Sequence, residues 1–201
     1  MLPPDSSREA ATSVTLLVRI RDARDSAAWD EFDAMYRPLL MRYAMRKGLS
    51  SGDADDVVQY CMTLVHRHIQ TFEYDPAKGR FKSWLLRIAQ NHMLNRWDKH
   101  RERGADTAVF DAAADASPAP DDEFDLVWKQ AHLRHAFERL RGEVQESTFG
   151  AFHEYVIEQK SVEETCARWN MNRNTLDGIK FRLTRKLRDI LQDMLGAESD
   201  F

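Results

Sequence analysis

Ser161-Val162-Glu163-Glu164-Thr165-Cys166-Ala167-Arg168-Trp169-Asn170-Met171-Asn172-Arg173-Asn174-Thr175-Leu176 reads as a helix, a turn and the start of a second helix. Ser161 with Glu164 three residues on has the form of a capping box, and the helix it opens should end near Trp169. Asn170-Met171-Asn172 makes a short turn, and Asn172 or Asn174 can cap a final helix reaching about Leu191. On that helix Leu176, Ile179, Leu183, Leu187 and Ile190 share one face, with Lys180, Arg182, Arg185, Lys186 and Arg188 largely elsewhere. Short helix, three-residue turn, basic helix is the layout of a helix-turn-helix. The first helix braces the second, whose N-terminal residues can enter a major groove while flanking cations neutralise phosphates. Many helical hairpins share this layout, so the segment alone leaves DNA binding and plain packing both open.

Working outward, the same 3.6-residue period recurs along the chain. Phe81, Trp84, Leu85, Ile88 and Ala89 follow the 0, 3, 4, 7, 8 pattern. Val57, Val58, Cys61, Leu64, Val65, His68, Ile69 and Phe72 do so before them, and Trp29, Phe32, Tyr36, Leu39, Leu40 and Tyr43 earlier still. Pro38 is expected to break or kink that earlier helix, and Gly48 to end it. Ser13 can cap a short helix through Arg21. Downstream, helices are expected over Phe124–Leu140 and roughly Gln145–Glu158. No stretch alternates apolar and polar residues between turn pairs, so no strand is expected. The fold class is all-α.

The chain has 201 residues, 43% hydrophobic and 31% charged, which allows a packed core and argues against wholesale disorder. Its net charge of −4 excludes a globally basic coat but hides segregation. Arg80 to Arg103 holds seven basic and two acidic residues, Gly104 to Val127 seven acidic and no basic, and Arg173 to Arg188 six basic and one acidic. The acidic stretch carries Ala112-Ala113-Ala114-Asp115-Ala116-Ser117-Pro118-Ala119-Pro120, whose small residues, prolines and like charges favour an extended linker. Residues 104–122 are therefore read as a linker between a domain at 13–103 and another at 123–192, with tails at 1–12 and 193–201. The linker's acidity can compete with nucleic acid for the basic faces, or can serve solubility alone.

Catalysis finds no footing. There is no phosphate-binding glycine loop, nucleophile motif or metal-ligand spacing, so no catalytic residue, cofactor or metal is expected. His66 and His68 point to different sides of a helix, His132 and His135 are expected on the surface, and Cys61 and Cys166 are expected to be inert core residues. The longest apolar run near the N-terminus, Val14 to Val18, is too short to span a membrane and lacks a secretory layout, so a soluble cytoplasmic protein is expected. Asp53, Asp55 and Asp56 can serve as helix-start acids or as an acidic docking edge. Trp97, set among Asn95, Arg96, Asp98, Lys99 and Arg101, can pack a helix or stack on unpaired bases.

Taken together, these segments resemble the small two-domain sigma factors of bacterial RNA polymerase, the extracytoplasmic-function type of the sigma-70 family. Trp29-x-x-Phe32-x-x-x-Tyr36-x-Pro38-Leu39-Leu40 looks like the start of the second sigma domain. Asp53-Ala54-Asp55-Asp56-Val57-Val58-Gln59 followed by Phe72 resembles the polymerase-docking helix. Gly79-Arg80-Phe81-Lys82-Ser83-Trp84-Leu85-Leu86-Arg87-Ile88-Ala89-Gln90-Asn91 looks like the heart of the promoter-melting region. Ala136-Phe137-Glu138-Arg139-Leu140 and Ser161 to Ala167 resemble the fourth sigma domain, with Cys166 standing where Ile is usual and Trp169 where Leu is common.

The resemblance implies that the domain at 13–103 is sigma region 2 and that at 123–192 sigma region 4. It implies that Asp53, Asp56 and Gln59 dock on core RNA polymerase. Asn91, Asn95, Arg96, Trp97, Lys99, Arg101 and Arg103 would bind the −10 promoter element and trap its non-template strand. Asn172, Arg173, Asn174, Thr175 and Lys180 would approach bases of the −35 element, with Arg182 and Arg185 mainly on phosphates. Core polymerase and promoter DNA are the expected partners; many members of that family are held inactive by an anti-sigma factor, and the sequence leaves the existence of one open. A stand-alone helix-turn-helix regulator, or a helical adaptor whose basic faces are merely solvated, are the other readings open to this sequence.

Overall fold

The computed structural model describes residues 13–70, 81–99 and 121–195. Among them there are α1 (Ser13–Arg19), α2 (Ser26–Arg46), α3 (Ser51–His68), α4 (Phe81–Lys99), α5 (Asp122–Gly142), α6 (Glu146–Phe152) with a π-helical continuation over His153–Ile157, α7 (Val162–Trp169) and α8 (Arg173–Leu195), and no strand. The fold is all-α, as the periodicity predicts. Backbone contacts divide the chain into two compact units, one spanning Leu16–Ala131 and the other taking in His132 onward.

In the N-terminal unit, α2 is started by Asp25, whose carboxylate accepts from the Ala28 N–H at 2.9 Å. Arg19 holds that carboxylate at 3.0 Å and Glu31 at 3.1 Å. Pro38 does not break this helix: α2 runs unbroken from Ser26 to Arg46. Tyr36, Leu39 and Leu40 around the proline are all buried, so tertiary packing outweighs the one lost backbone bond. Gly48 does end it. At φ +88° it takes the left-handed conformation, its N–H bonds to Met45 O and the Leu49 N–H to Ala44 O, the paired bonds of a Schellman cap. Phe32, Tyr36 and Tyr43 from α2 meet Val57, Val58, Cys61 and Val65 from α3 and Phe81, Leu85 and Ile88 from α4 in one core. Burial pushes the Cys61 thiol well above its ordinary range, leaving it a packing residue.

The first half of α5 belongs to this unit. Phe124 sits 5.0 Å from the Tyr43 ring, and Trp128 lies 5.6 Å from Tyr36 and 6.4 Å from Phe81. Because Tyr36 and Phe81 are neighbours, as are Tyr43 and Gln90 around Asp121, α2 and α4 run parallel here and α5 runs back along them. The sequence places residues 121–122 in the linker and starts the second domain at 123. In the structure Asp121 is already bonded to α2 and α4, and Phe124, Val127 and Trp128 are core residues of the first unit. Linker residues 104–120 lie outside the described residues, as do 1–12 and 196–201.

The C-terminal unit is built from the second half of α5 with α6, α7 and α8 around Ala136, Leu140, Phe152, Ile179, Leu183 and Ile190. Ser161 and Glu164 form the capping box reciprocally, and α7 ends at Trp169. Asn170 turns the chain in the left-handed conformation, φ 48°, and Asn172 starts α8 by accepting from the Thr175 N–H at 2.8 Å. The helix expected over 145–158 is α6 followed by a π-turn. The tail expected from 193 begins later, because Leu191 and Met194 continue the apolar stripe of Ile190 and keep α8 packed to its end. His132, expected on the surface, is 1% exposed, since it shares the inward face of α5 with Ala131 and Ala136. No helix among the described residues is long and apolar enough to cross a membrane.

Candidate nucleic-acid interface

α3 owes its start to Ser50, whose hydroxyl accepts from the Asp53 N–H at 3.2 Å and donates to the Asp53 carboxylate at 2.6 Å. Ala54, Val57, Val58, Cys61, Leu64 and Val65 bury one side of it. Helical spacing then puts Asp56 and Gln59 on the opposite, solvent side, and both are exposed. The Gln59 amide donates to Asp55 at 3.1 Å, which holds it flat along the helix. Asp53, one turn earlier, is half-buried in the capping bond. An exposed carboxylate and an amide therefore stand on a rigid helix, with the helix start occupied by its own cap.

On α4, Phe81, Leu85, Ile88, Ala89 and Met93 face the core. Arg87, Asn91 and Leu94 recur at 0, 4 and 7 residues on another face. Arg87 and Asn91 are half-buried, Leu94 is exposed, and the Arg87 Nε is buried without a hydrogen-bond partner among the described residues. Helix α4 carries Asn95, Arg96, Trp97 and Lys99 in its last turn. The side chains of these four, and all of Arg101 and Arg103, lie outside the described residues.

In α8 the core stripe Leu176, Ile179, Leu183 and Ile190 fixes which residues face out. Asn174, Gly178, Phe181 and Arg185 recur at 0, 4, 7 and 11 residues directly opposite it. Phe181 is 73% exposed, an unusual place for a phenyl ring. A sequence search for cations and amides passes over this residue, although projecting the helix from Leu176 and Leu183 finds it. Lys180 and Arg182 stand on the flanks of the stripe. Lys180 leans over Tyr155, Nζ 5.0 Å from the ring centre, while Arg173 pairs with Asp177 at 3.7 Å. Asn172 is spent on capping: its Oδ1 also accepts from the Thr175 hydroxyl at 3.0 Å.

Beside this helix runs an open groove of about 650 Å³ lined by Arg139, Glu143, Arg182, Arg185, Lys186 and Asp189 among others. Burial pushes the Glu143 carboxyl up, but Lys186 at 2.8 Å and Arg139 at 3.0 Å outweigh it and hold it below the usual carboxylate range. Those two cations are thereby neutralised. Arg182 and Arg185 make no ion pair among the described residues, so the positive charge free to meet a polyanion concentrates on the outer side of α8. A clasp ties the end of α6 to α7 and the loop before it: Glu154, 8% exposed at its side chain, takes Arg168 Nε at 3.0 Å and Lys160 Nζ at 3.6 Å.

A further fit is steric. A β-carbon on Gly150 would overlap the six-membered ring of Trp169, so the large residue in α7 is accommodated by the absent side chain in α6.

Residues 32–103 match the family model for sigma-70 region 2, the segment that contains α3 and α4. That stretch is similar to region 2 of the sigma-70 family, and the curated relatives the chain resembles are sigma factors of the extracytoplasmic-function type. The chain is 27% identical over 127 residues to the ECF RNA polymerase sigma factor RpoE of Cereibacter sphaeroides, covering 63% of this chain and 68% of that one. It is 38% identical over 74 residues to the ECF RNA polymerase sigma factor SigM of Mycobacterium tuberculosis, covering 37% of this chain and 36% of that one.

Proposed function

We propose that this chain binds bacterial core RNA polymerase in the cytoplasm, directs it to promoters carrying −35 and −10 elements, and promotes melting of the DNA there. The observation that carries the reading is the sigma-70 region 2 match over a bundle whose α3 presents Asp56 and Gln59 outward. These two, with Asp53 behind them, are the docking residues. Asn91, Asn95, Arg96, Trp97, Lys99, Arg101 and Arg103 form the −10 surface. Arg173, Asn174 and Thr175 at the start of α8, with Asn172 holding that start in place, approach the −35 bases together with Lys180, and Arg182 and Arg185 meet phosphates.

The chemistry needs no catalytic group in this chain. Separating strands costs unstacking and unpairing energy, so a protein that holds unpaired bases better than paired ones shifts the equilibrium to the open form. Two modest DNA-binding modules on one chain, held at fixed separation by the polymerase, gain affinity through effective concentration.

The test is retention of the chain on bacterial core RNA polymerase, followed by transcription of fragmented genomic DNA with and without it. Stable retention and new discrete start sites bear the reading out. Promoter-specific DNA binding without retention on the native core enzyme replaces it with a stand-alone regulator.

A further inference from the structure

The segment that opens α5 mixes four acids, Asp121, Asp122, Glu123 and Asp125, with the large apolar residues Phe124, Val127 and Trp128. Three of the acids meet a cation of α2 or α4 or the residue just beyond α2. Asp121 accepts from Lys47 Nζ at 2.9 Å, from the Tyr43 hydroxyl at 2.6 Å and from the Gln90 amide at 3.2 Å, with its side chain 7% exposed. Glu123 takes Arg46 at 2.8 Å and Asp125 takes Lys82 at 2.9 Å. Between these pairs Phe124, Val127 and Trp128 fill the groove between α2 and α4, at 0%, 1% and 6% exposure, and Lys82 also lies 6.0 Å over the Trp128 ring.

The partners matter as much as the pairing. Lys82 and Gln90 belong to the Gly79–Asn91 string, and Gln90 adjoins Asn91 of the −10 surface. The covering segment thus presents three carboxylates where a polyanion would present phosphates, and occupies an amide on the melting helix. We infer that residues 121–131 are a displaceable latch: in the free factor they close over the α2–α4 groove as a mimic of nucleic acid, and promoter DNA and the latch exchange on the same cations. This inference rests on the proposed role of the N-terminal unit in promoter binding. The pairs of Glu123 and Asp125 involve carboxylates 47% and 49% exposed, where salt and competing phosphates screen readily. The latch is therefore built to yield to a strong polyanion while its aromatic plug holds it in the absence of one.

The experiment locks the latch in the full chain. Lys82→Cys and Asp125→Cys, with Cys61→Ala and Cys166→Ala removing the native thiols, are joined by a reductant-cleavable bismaleimide. Retention on core polymerase and promoter-directed transcription are read before and after cleavage. The expected result is unchanged retention on core, at least ten-fold less transcript in the locked state, and recovery on reduction to the level of the same cysteine variant never cross-linked, which carries the loss of the Lys82 cation by itself. Equal transcription locked and unlocked overturns the latch and makes residues 121–131 a permanent part of the unit. Failure of the cleaved protein, and of the unmodified chain beside it, to direct transcription overturns the proposed function instead.

Discussion

Replacing Gly150 by alanine is expected to loosen the C-terminal unit, and the size of the effect can be worked from its neighbours. In an ordinary helix the change would stabilise by about 1 kcal/mol, because alanine gives up less backbone freedom than glycine. Here the new methyl overlaps two carbons of the Trp169 ring, and the Trp169 Nε1 is already buried without a hydrogen-bond partner among the described residues. Overpacking costs roughly 1–3 kcal/mol, and a stiff indole at the end of α7 puts this case near the upper limit. The net loss is then about 2 kcal/mol. Trp169→Leu removes the obstacle, so in that background Gly150→Ala should be neutral or stabilising, giving a coupling of about 2 kcal/mol or more. Amide hydrogen exchange at Leu176 and Leu183, both fully buried in α8, reads the stability of this unit by itself. An unchanged protection in Gly150→Ala, or an equal loss in both backgrounds, would refute the reasoning.

Three further outcomes are expected. Burial pushes Asp121 up, but hydrogen bonds from Tyr43, Lys47, the Phe124 N–H and Gln90 outweigh it and hold the carboxyl at about 2. Its contribution, about 2 kcal/mol, is complete above the ordinary aspartate range and is lost as pH falls from about 4 to 2; acid unfolding of Asp121→Asn should lack that step. Asp56→Arg reverses an exposed charge opposite the core of α3, so it should leave thermal unfolding within about 0.5 kcal/mol while abolishing retention on core polymerase. On α8, Arg182→Ala or Arg185→Ala should weaken binding evenly across promoter sequences and lower the salt slope by about one, whereas Lys180→Ala costs roughly 1–3 kcal/mol at particular bases. Promoter affinity unchanged by both Lys180→Ala and Arg182→Ala removes them from the interface.

Much of the fold is legible in the sequence because its signals are local. The Ser161–Glu164 box, the Gly48 cap and the apolar stripe of α8 each involve residues within a few positions of one another, and each forms as read. What escapes is set by distant partners. Nothing near Asp121 announces Tyr43, Lys47 and Gln90, so proline, alanine and acid in the preceding sequence hide the point where the contacts of α5 begin. Pro38 is tolerated for the same reason: its cost is local, and the packing that outweighs it is not. The family departure at Trp169 is visible in the sequence, but its explanation stands 19 positions earlier at Gly150. As for the candidate surfaces, cations and amides are found by type, while Phe181 is found only by geometry.

The attachment of residues 121–131 to the N-terminal unit also bears on how such factors can be recombined. A chimaera joined anywhere in 104–120 takes its C-terminal unit from one parent and its N-terminal bundle from the other, and with the C-terminal unit comes the helix that must fill the bundle's groove. Tyr43, Lys47, Gln90 and Lys82 on one side and Asp121, Phe124, Asp125 and Trp128 on the other are then inherited from different lineages. Joining the parents after Ala131 keeps the matched set together, so the seam between these two inheritable modules lies inside α5, beyond the acidic stretch that looks like the natural place to cut.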